Sequence, residues 1–397
     1  MRFPGTASRS VFAFFLALCL ALSCLVSSAQ ETAPPLQVDI REAIVHVPSR
    51  VQDAYGKESA GEQLVTTFRP QGPGPFPLVV ISHGRNPDTR AEYQRQRYES
   101  AARFFVRKGF AVAVPLRLGY GELAGLGDPE TDVNCNAPRY GSAITAAAQE
   151  ILDVAQFMSA QADIDARRIV LVGVSVGGIS TIAATSAHLP GQVAAINFAG
   201  GHGGSPDHHP GEPCQPDLLR RLYGAWGAGN AKAQPPTPTL WIYAENDHYF
   251  APRYARRWAE AYTASGGAAD LRVLPAYGED GHKLFTTGND VWQPLVDAFL
   301  KQQGFEQSGH VQAPAAIGPL PDESALPAQQ RAGLEKFLAL KPPRALAFSD
   351  DGHWGYAAGD DALSKALAFC QRKRAPDSGP PCHLYAVDDA VVWSSHP

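Results

Sequence analysis

Arg168-Ile-Val-Leu-Val-Gly173-Val-Ser175-Val-Gly177-Gly178 is the stretch that decides the fold. Ile169 to Val172 is an unbroken β-branched and leucine run, the pattern of a strand buried on both faces. Small residues follow, and Ile179, Ile182, Ala183 and Ala184 then read as the start of a helix. Because Gly makes up 37 of 397 residues, Gly-x-Ser-x-Gly is weak evidence by itself. Between a buried strand and a helix it is specific: a tight turn that holds the Ser in a strained conformation with its hydroxyl exposed.

The pattern continues in both directions. Residues 36–47 and 63–69 alternate like antiparallel strands, and 71–77 form a Gly/Pro-rich break. Strands are expected at 78–81, 110–114, 193–198, 239–243 and 271–274, and helices at 90–108, 142–158, 218–226, 252–264 and 291–302. Such alternation implies an α/β fold, a mainly parallel sheet with helices on both faces. In these sheets the chemistry gathers beyond the carboxyl ends of the strands. Here the polar clusters 82–86, Ser175, 200–204 and 245–247 each follow a strand. The catalytic domain spans 33–304 and a Pro/Ala/Gly-rich linker 305–327. A small α+β module, 328–397, has helices at 334–340 and 362–370, strands at 344–348, 383–387 and 391–393, and a turn at 352–355.

Arg2 and Arg9 precede an apolar run at 11–26, and Ser27-Ser28-Ala29 offers a cleavage site, so 1–29 read as a signal peptide. A secreted or periplasmic protein follows, with no stable membrane span once the signal is removed. Lipidation at Cys24 is disfavoured by Ala21 three residues before it. Cys135, Cys214, Cys370 and Cys382 remain, an even number that suggests disulfides with three possible connectivities. Proximity favours Cys370–Cys382, which leaves Cys135–Cys214. The net charge of −5 and pI near 6.2 give no basic excess, so no nucleic-acid partner is expected. Arg372-Lys373-Arg374 reads as a solvated face.

A serine hydroxyl needs a base to act as a nucleophile, and the base needs an orienting acid. Downstream of Ser175, the strand at 239–243 runs into Glu245-Asn246-Asp247, and the strand at 271–274 is followed by Glu279-Asp280-Gly281-His282. Asp247 is the first candidate for the acid and Glu245 the second; His282 is the base. An oxyanion hole needs two backbone N–H groups, expected from Val176 and from Arg85 in the loop where Gly84 permits close approach. His83 reads as a support of that loop through hydrogen bonds.

Ser82-His-Gly-Arg85, Gly173-Val-Ser-Val-Gly177, Glu245-Asn-Asp247 and Glu279-Asp-Gly-His282 together resemble the dienelactone hydrolase branch of the α/β-hydrolases, over residues 36–304. The resemblance implies Ser175 as nucleophile, Asp247 as acid, His282 as base, and Val176 with Arg85 as oxyanion donors. Enzymes of that branch carry Cys as nucleophile where this chain has Ser175. What it implies is therefore a general serine hydrolase of a small-molecule carboxylic ester, with no metal and no cofactor. A peptidase of prolyl-oligopeptidase style shares the same chemistry. A catalytically silent binder, with 328–397 attached to an envelope partner, is the reading from another class.

His202, His208 and His209 do not read as metal ligands, because no carboxylate or Cys stands at a recognisable ligand spacing. Arg117 is read as the partner of a structural carboxylate in preference to a substrate anion. Trp354 and Trp393 are read as core of the small module.

Overall fold

The structure, a computed structural model, describes residues 36–70, 74–131, 134–233, 235–305, 318–320, 322, 326–349, 351–359, 362–372 and 382–392. The signal segment, Trp393 and most of the expected linker lie outside these residues. Eight strands form one sheet: β1 (Ala43–Gln52), β2 (Glu58–Phe68), β3 (Phe76–Ser82), β4 (Ala111–Leu116), β5 (Ile164–Val174), β6 (Gln192–Phe198), β7 (Pro238–Ala244) and β8 (Ala268–Leu274). Their order is β1-β2-β4-β3-β5-β6-β7-β8. The pairs β1–β2 and β2–β4 are antiparallel and all the others parallel. This is the α/β-hydrolase fold expected from the sequence.

The central strands have no polar face. Leu78, Val80, Ile169 and Leu171 point into a core shared with α2 (Tyr140–Ser159), α3 (Val176–Ala184), α4 (Pro216–Asn230) and α5 (Pro252–Ala264). Their neighbours Val79, Ile81, Val170 and Val172 point the other way, onto α1 (Glu99–Arg107) and α7 (Asn289–Gln302). The two-residue side-chain period of a strand therefore feeds two cores at once, which is why these strands read as continuous apolar runs. Each fully buried Leu, Ile or Val in them contributes about 1.5–3 kcal/mol.

Two expectations near the N-terminus need correction. The first strand starts at Ala43, because Val38–Ile40 make a 3-10 turn closed by Arg41 in the left-handed region. The helix expected over 90–108 is a 3-10 turn at Arg90–Glu92 followed, after an extended stretch, by α1. Tertiary contacts win over helix propensity there. Arg95 donates to Glu42 Oε1 at 2.7 Å, Arg97 pairs with the same carboxylate, and Thr66 Oγ1 donates to the Gln96 carbonyl at 2.7 Å.

A second sheet, fully antiparallel, has the order β11-β10-β12-β13-β9. It comprises β9 (Gly318–Pro319), β10 (Arg344–Phe348), β11 (Trp354–Ala358), β12 (His383–Val387) and β13 (Ala390–Val391), with α8 (Ala328–Leu338) and α9 (Ala362–Gln371). Strand β9 falls inside the stretch read as a linker. Strand β11 replaces the turn expected at 352–355: Gly355 backs onto α9 so closely that a Cβ would meet the Ala366 carbonyl, while Trp354 and Tyr356 face α8 and its neighbours. Cys370 and Cys382 are bonded, with Cα atoms 6.2 Å apart, as proximity suggested. No helix of the described residues is long and apolar enough to cross a membrane.

Glu42 has a fully buried carboxylate. Burial raises its pKa, but the hydrogen bonds from Arg97 and Arg95 outweigh that and hold it below the ordinary value of 4.5. A depressed carboxylate pKa stabilises the fold above the unfolded value, and the benefit is lost as pH falls through the folded one. Glu42→Gln should therefore cost roughly 1–3 kcal/mol near pH 7, between the surface and buried limits for an ion pair. In urea titrations the gap between variant and wild type should narrow below about pH 4.5, the unfolded value. A gap that stays constant down to pH 3 contradicts the ion-pair account.

Candidate active site

Ser175 sits between β5 and α3 with φ 58° and ψ −123°, a conformation that side-chain-bearing residues rarely adopt. Its own backbone is fixed on both sides. The Ser175 N–H donates to the Phe198 carbonyl at 2.9 Å, and its carbonyl accepts from Ile179 N–H at 3.1 Å and Gly201 N–H at 3.3 Å. The flanking glycines are needed for space. A Cβ at Gly173 would run into the Gly177 carbonyl, and one at Gly177 into the carbonyls of Ser82 and His83. Gly84 lies equally near: a Cβ there would be 3.1 Å from Ser175 Cβ and 3.6 Å from its Oγ. The loop after β3 thus lies directly beside Ser175, which is half-buried.

Asp247 and His282 are brought together from the ends of β7 and β8. His282 Nδ1 is 3.1 Å from both Oδ atoms of Asp247. Since a carboxylate only accepts, Nδ1 carries the hydrogen of this contact. The Asp247 side chain is fully buried, and its Oδ1 also accepts from the N–H groups of Tyr249 at 2.8 Å and Phe250 at 2.9 Å. Tyr249 stacks on the imidazole at 4.1 Å between ring centres, with Phe250 edge-on at 5.5 Å. Glu245, the second candidate acid, is exposed and pairs with Arg256 at 3.3 Å. The difference is two residues of chain: Asp247 turns under the imidazole while Glu245 turns out.

Residues not singled out in the sequence hold this corner. Asn246 Oδ1 accepts from Tyr277 N–H at 2.8 Å, and its Nδ2 donates to the Gly278 carbonyl at 3.1 Å. Asp280 Oδ1 accepts from the N–H groups of both His282 and His248, at 3.0 and 3.1 Å. Asn and Asp at such positions are ordinary turn formers, so only the fold reveals that they tie one loop to the other.

Beneath the loop carrying Gly84 and Arg85 lies a buried polar network. Arg117, wholly inaccessible, donates to Glu130 at 2.6 and 3.1 Å, to Ser82 Oγ at 2.8 Å and to the His83 carbonyl at 2.7 Å. It faces no solvent, so it has no place as a substrate-anion receptor. The Arg85 side chain donates to Asp128 at 2.8 and 3.0 Å and to Tyr120 Oη at 3.1 Å. Burial opposes the charge of both guanidiniums, but Glu130, Tyr120 and Asp128 outweigh it and hold their pKa values above the ordinary one.

His83 does what its place suggested. Burial, and then the positive charge of Arg117, push its pKa well below 6.5, so the ring is neutral. Its Nε2 accepts the Arg117 N–H at 3.2 Å, which leaves the hydrogen on Nδ1 to bond the Gly84 carbonyl at 2.7 Å. Glu150 is also buried, and burial followed by repulsion from Glu130 raises its pKa well above 4.5. The network therefore pairs Arg117 with Glu130 and Arg85 with Asp128, which Arg90 also approaches at 3.7 Å, while burial and the Glu130 charge disfavour ionisation of Glu150.

Cys135 and Cys214 are bonded, with Cα atoms 5.1 Å apart. The bond joins the long loop after β4 to the loop after β6, the two stretches that begin at the same sheet edge as Ser175. His202 is buried against Tyr140, with ring centres 4.7 Å apart, and His208 is exposed. Trp354 packs on Gly333 of α8, as expected of a core residue.

No family model matches the chain, and no curated protein matches it in sequence. Among solved structures it is similar to a Klebsiella pneumoniae protein assigned provisionally as a dienelactone hydrolase: 17% identity, 65% of this chain and 99% of that one, TM-score 0.41. A puromycin-hydrolyzing peptidase from Mycobacterium tuberculosis gives 17% identity over 70% of this chain and 43% of that one, TM-score 0.44. Est1E from Butyrivibrio proteoclasticus gives 14% identity over 66% and 100%, TM-score 0.41. The fold rests on strand order and register, and on none of these likenesses.

Arg117→Leu should leave the Glu130 charge buried and unpaired, at a cost of about 3–5 kcal/mol. Arg117→Leu with Glu130→Leu should recover a large part of that loss, because no lone charge remains. Urea midpoints at unchanged m-value measure both. A double variant no more stable than the single one would show that the pair is not coupled as described.

Proposed function

We propose that this chain is a serine hydrolase that cleaves a carboxylic ester through an acyl-enzyme. Ser175 is the nucleophile, His282 the general base, Asp247 its orienting acid, and the N–H groups of Val176 and Arg85 the oxyanion donors. The observation that carries the reading is the Asp247–His282 contact, 3.1 Å on both oxygens, formed at the sheet edge where the strained Ser175 also lies.

In this scheme the His282 Nε2 lone pair takes the proton from Ser175 Oγ as that oxygen bonds to the ester carbonyl carbon. The carbonyl oxygen becomes an oxyanion, which the two N–H groups stabilise; removing one such donor typically costs ~2.7–4 kcal/mol. Asp247 stabilises the imidazolium that forms. The tetrahedral intermediate collapses as imidazolium gives its proton to the leaving alcohol, and water repeats the cycle on the acyl-enzyme. Both supports of the oxyanion loop, the His83 ring and the buried Arg117, are neutral or fully paired, so neither competes for the proton.

An exported protein is the companion reading, supported by the two disulfides and by the signal-like residues 1–29.

A fluorophosphonate probe should label the folded protein at Ser175 and leave Ser175→Ala unlabelled, with ester hydrolysis falling about 10⁴- to 10⁶-fold in that variant. Folded wild-type protein that resists the probe would favour a silent binder. Faster turnover of prolyl amides than of p-nitrophenyl esters would move the assignment to a peptidase.

A further inference from the structure

We propose that Cys135, Cys214 and His209 form a binding site for a thiophilic divalent cation, zinc in type, when the disulfide between the two cysteines is reduced. The sulfur atoms and one ring nitrogen of His209 lie within 4.8 Å of one another. The sequence hid this grouping, because Cys135 lies far upstream of the histidine cluster and only the fold carries it there.

The histidine is already arranged as a ligand. Its Nδ1 bonds the Glu212 carbonyl at 2.5 Å, so the hydrogen sits on Nδ1. The Nε2 lone pair is then left facing Cys214 Sγ at 3.6 Å. A carbonyl that holds the other ring nitrogen is the usual outer partner of a metal-bound imidazole. With Zn–S near ~2.3 Å and Zn–N near ~2.0–2.1 Å, tetrahedral angles place S and N about 3.5–3.6 Å apart, which matches the observed separation.

The turn that carries His209 is rigid. The His209 N–H donates to the Ser205 carbonyl at 2.9 Å and the Glu212 N–H to the His209 carbonyl at 3.0 Å. The Glu212 carboxylate is taken by Arg253 and Tyr254. Cys214 is buried beside this turn, and its N–H donates to the Gly203 carbonyl at 2.9 Å. Cys135 is exposed, so it is the ligand that must shift when the sulfur atoms part to metal-bridging distance.

The chemistry balances with a dithiol as reductant. Two electrons and two protons pass from the dithiol, which closes to its own disulfide, and the Cys135–Cys214 bond opens to two thiols. A divalent cation then displaces both thiol protons to solvent and forms two metal–thiolate bonds and one bond to Nε2. Two sulfurs, one nitrogen and water make the four-coordinate set favoured by zinc and by its spectroscopic substitute cobalt(II). Covalent bond and metal bridge exclude each other, yet each fastens the same two loops.

The test uses the full chain with Cys19, Cys24, Cys370 and Cys382 changed to Ser, reduced under anaerobic conditions and titrated with cobalt(II). About one equivalent should bind, with the near-ultraviolet thiolate charge-transfer band and the intense visible bands of tetrahedral cobalt. Cys135→Ser should lose the charge-transfer intensity, and His209→Ala should weaken binding at least about tenfold. His208→Ala should leave it unchanged, and the oxidised protein should bind no cobalt. Near-ultraviolet circular dichroism reports whether the reduced chain keeps its fold. A reduced chain that unfolds, that gives no tetrahedral spectrum, or that binds equally well without His209 overturns the proposal.

Discussion

The backbone of Ser175 is the constraint on which the rest depends. A left-handed, strained residue costs of order 1–3 kcal/mol and persists only where its surroundings leave it no alternative. Here the surroundings are complete: three hydrogen bonds on the Ser175 backbone, and glycines at 173 and 177 whose neighbours leave no room for a Cβ. One or two of the buried aliphatic side chains in β5 offset the cost. The strain is local, and the two cores on either side of the sheet hold it in place. A looser strand or a side chain at either glycine would let the turn relax and withdraw the hydroxyl.

The polar network under the 83–85 loop is the second constraint, and its logic differs. An apolar filling would often be as stable as a buried ion pair. Arg117, however, does more than neutralise Glu130, because it also ties Ser82 and His83 from below. That fixes the backbone immediately before Gly84, where a shift of a fraction of an ångström would alter any N–H aimed at Ser175. Charge matching makes the arrangement tolerable: Arg117 meets Glu130 and Arg85 meets Asp128, while burial disfavours the charged form of Glu150 and, from the opposite side, that of His83.

Legibility followed the reach of the interactions. The helix at 252–264 and the strands at 344–348 and 383–387 coincide with the structure, because proline, glycine and apolar period all act within a few residues. The helix expected from residue 90 failed because Glu42, far away in sequence, captures Arg95 and Arg97. Strand β11 was missed for another reason. Its alternation of Trp354, Gly355, Tyr356 and Ala357 is visible, but Gly352 and Gly355 speak for a turn. For Asn246, Asp280, Glu130 and Asp128, whose polar atoms meet their partners only in three dimensions, nothing local named those partners. Both disulfides were legible from count and spacing, whereas the proximity of His209 to one of them was not.

The convergence of distant residues is a consequence of register more than of any single contact. Parallel pairing sets Ser82 beside Gly173, Val174 beside Phe198, Phe198 beside Ile242, and Ala244 beside Leu274. The loops that follow β3, β5, β6, β7 and β8 therefore begin along one edge before any side chain has been chosen. Strand β7 continues two residues beyond the partner of Phe198, and this carries the 245–247 turn outward to the level of the 277–282 loop. Short connections then suffice: Asn246 and Asp280 need only turn-scale hydrogen bonds to bring Asp247 under His282. A slip of one residue between β7 and β8 would turn every β8 side chain to the opposite face, putting Asp270 and Arg272 where Ala269 and Leu271 pack, and it would also separate that carboxylate from the imidazole. The one-sided pattern of β8 thus fixes the register, and the hydrogen bonds of Asn246 and Asp280 fasten the two loops that this register brings level.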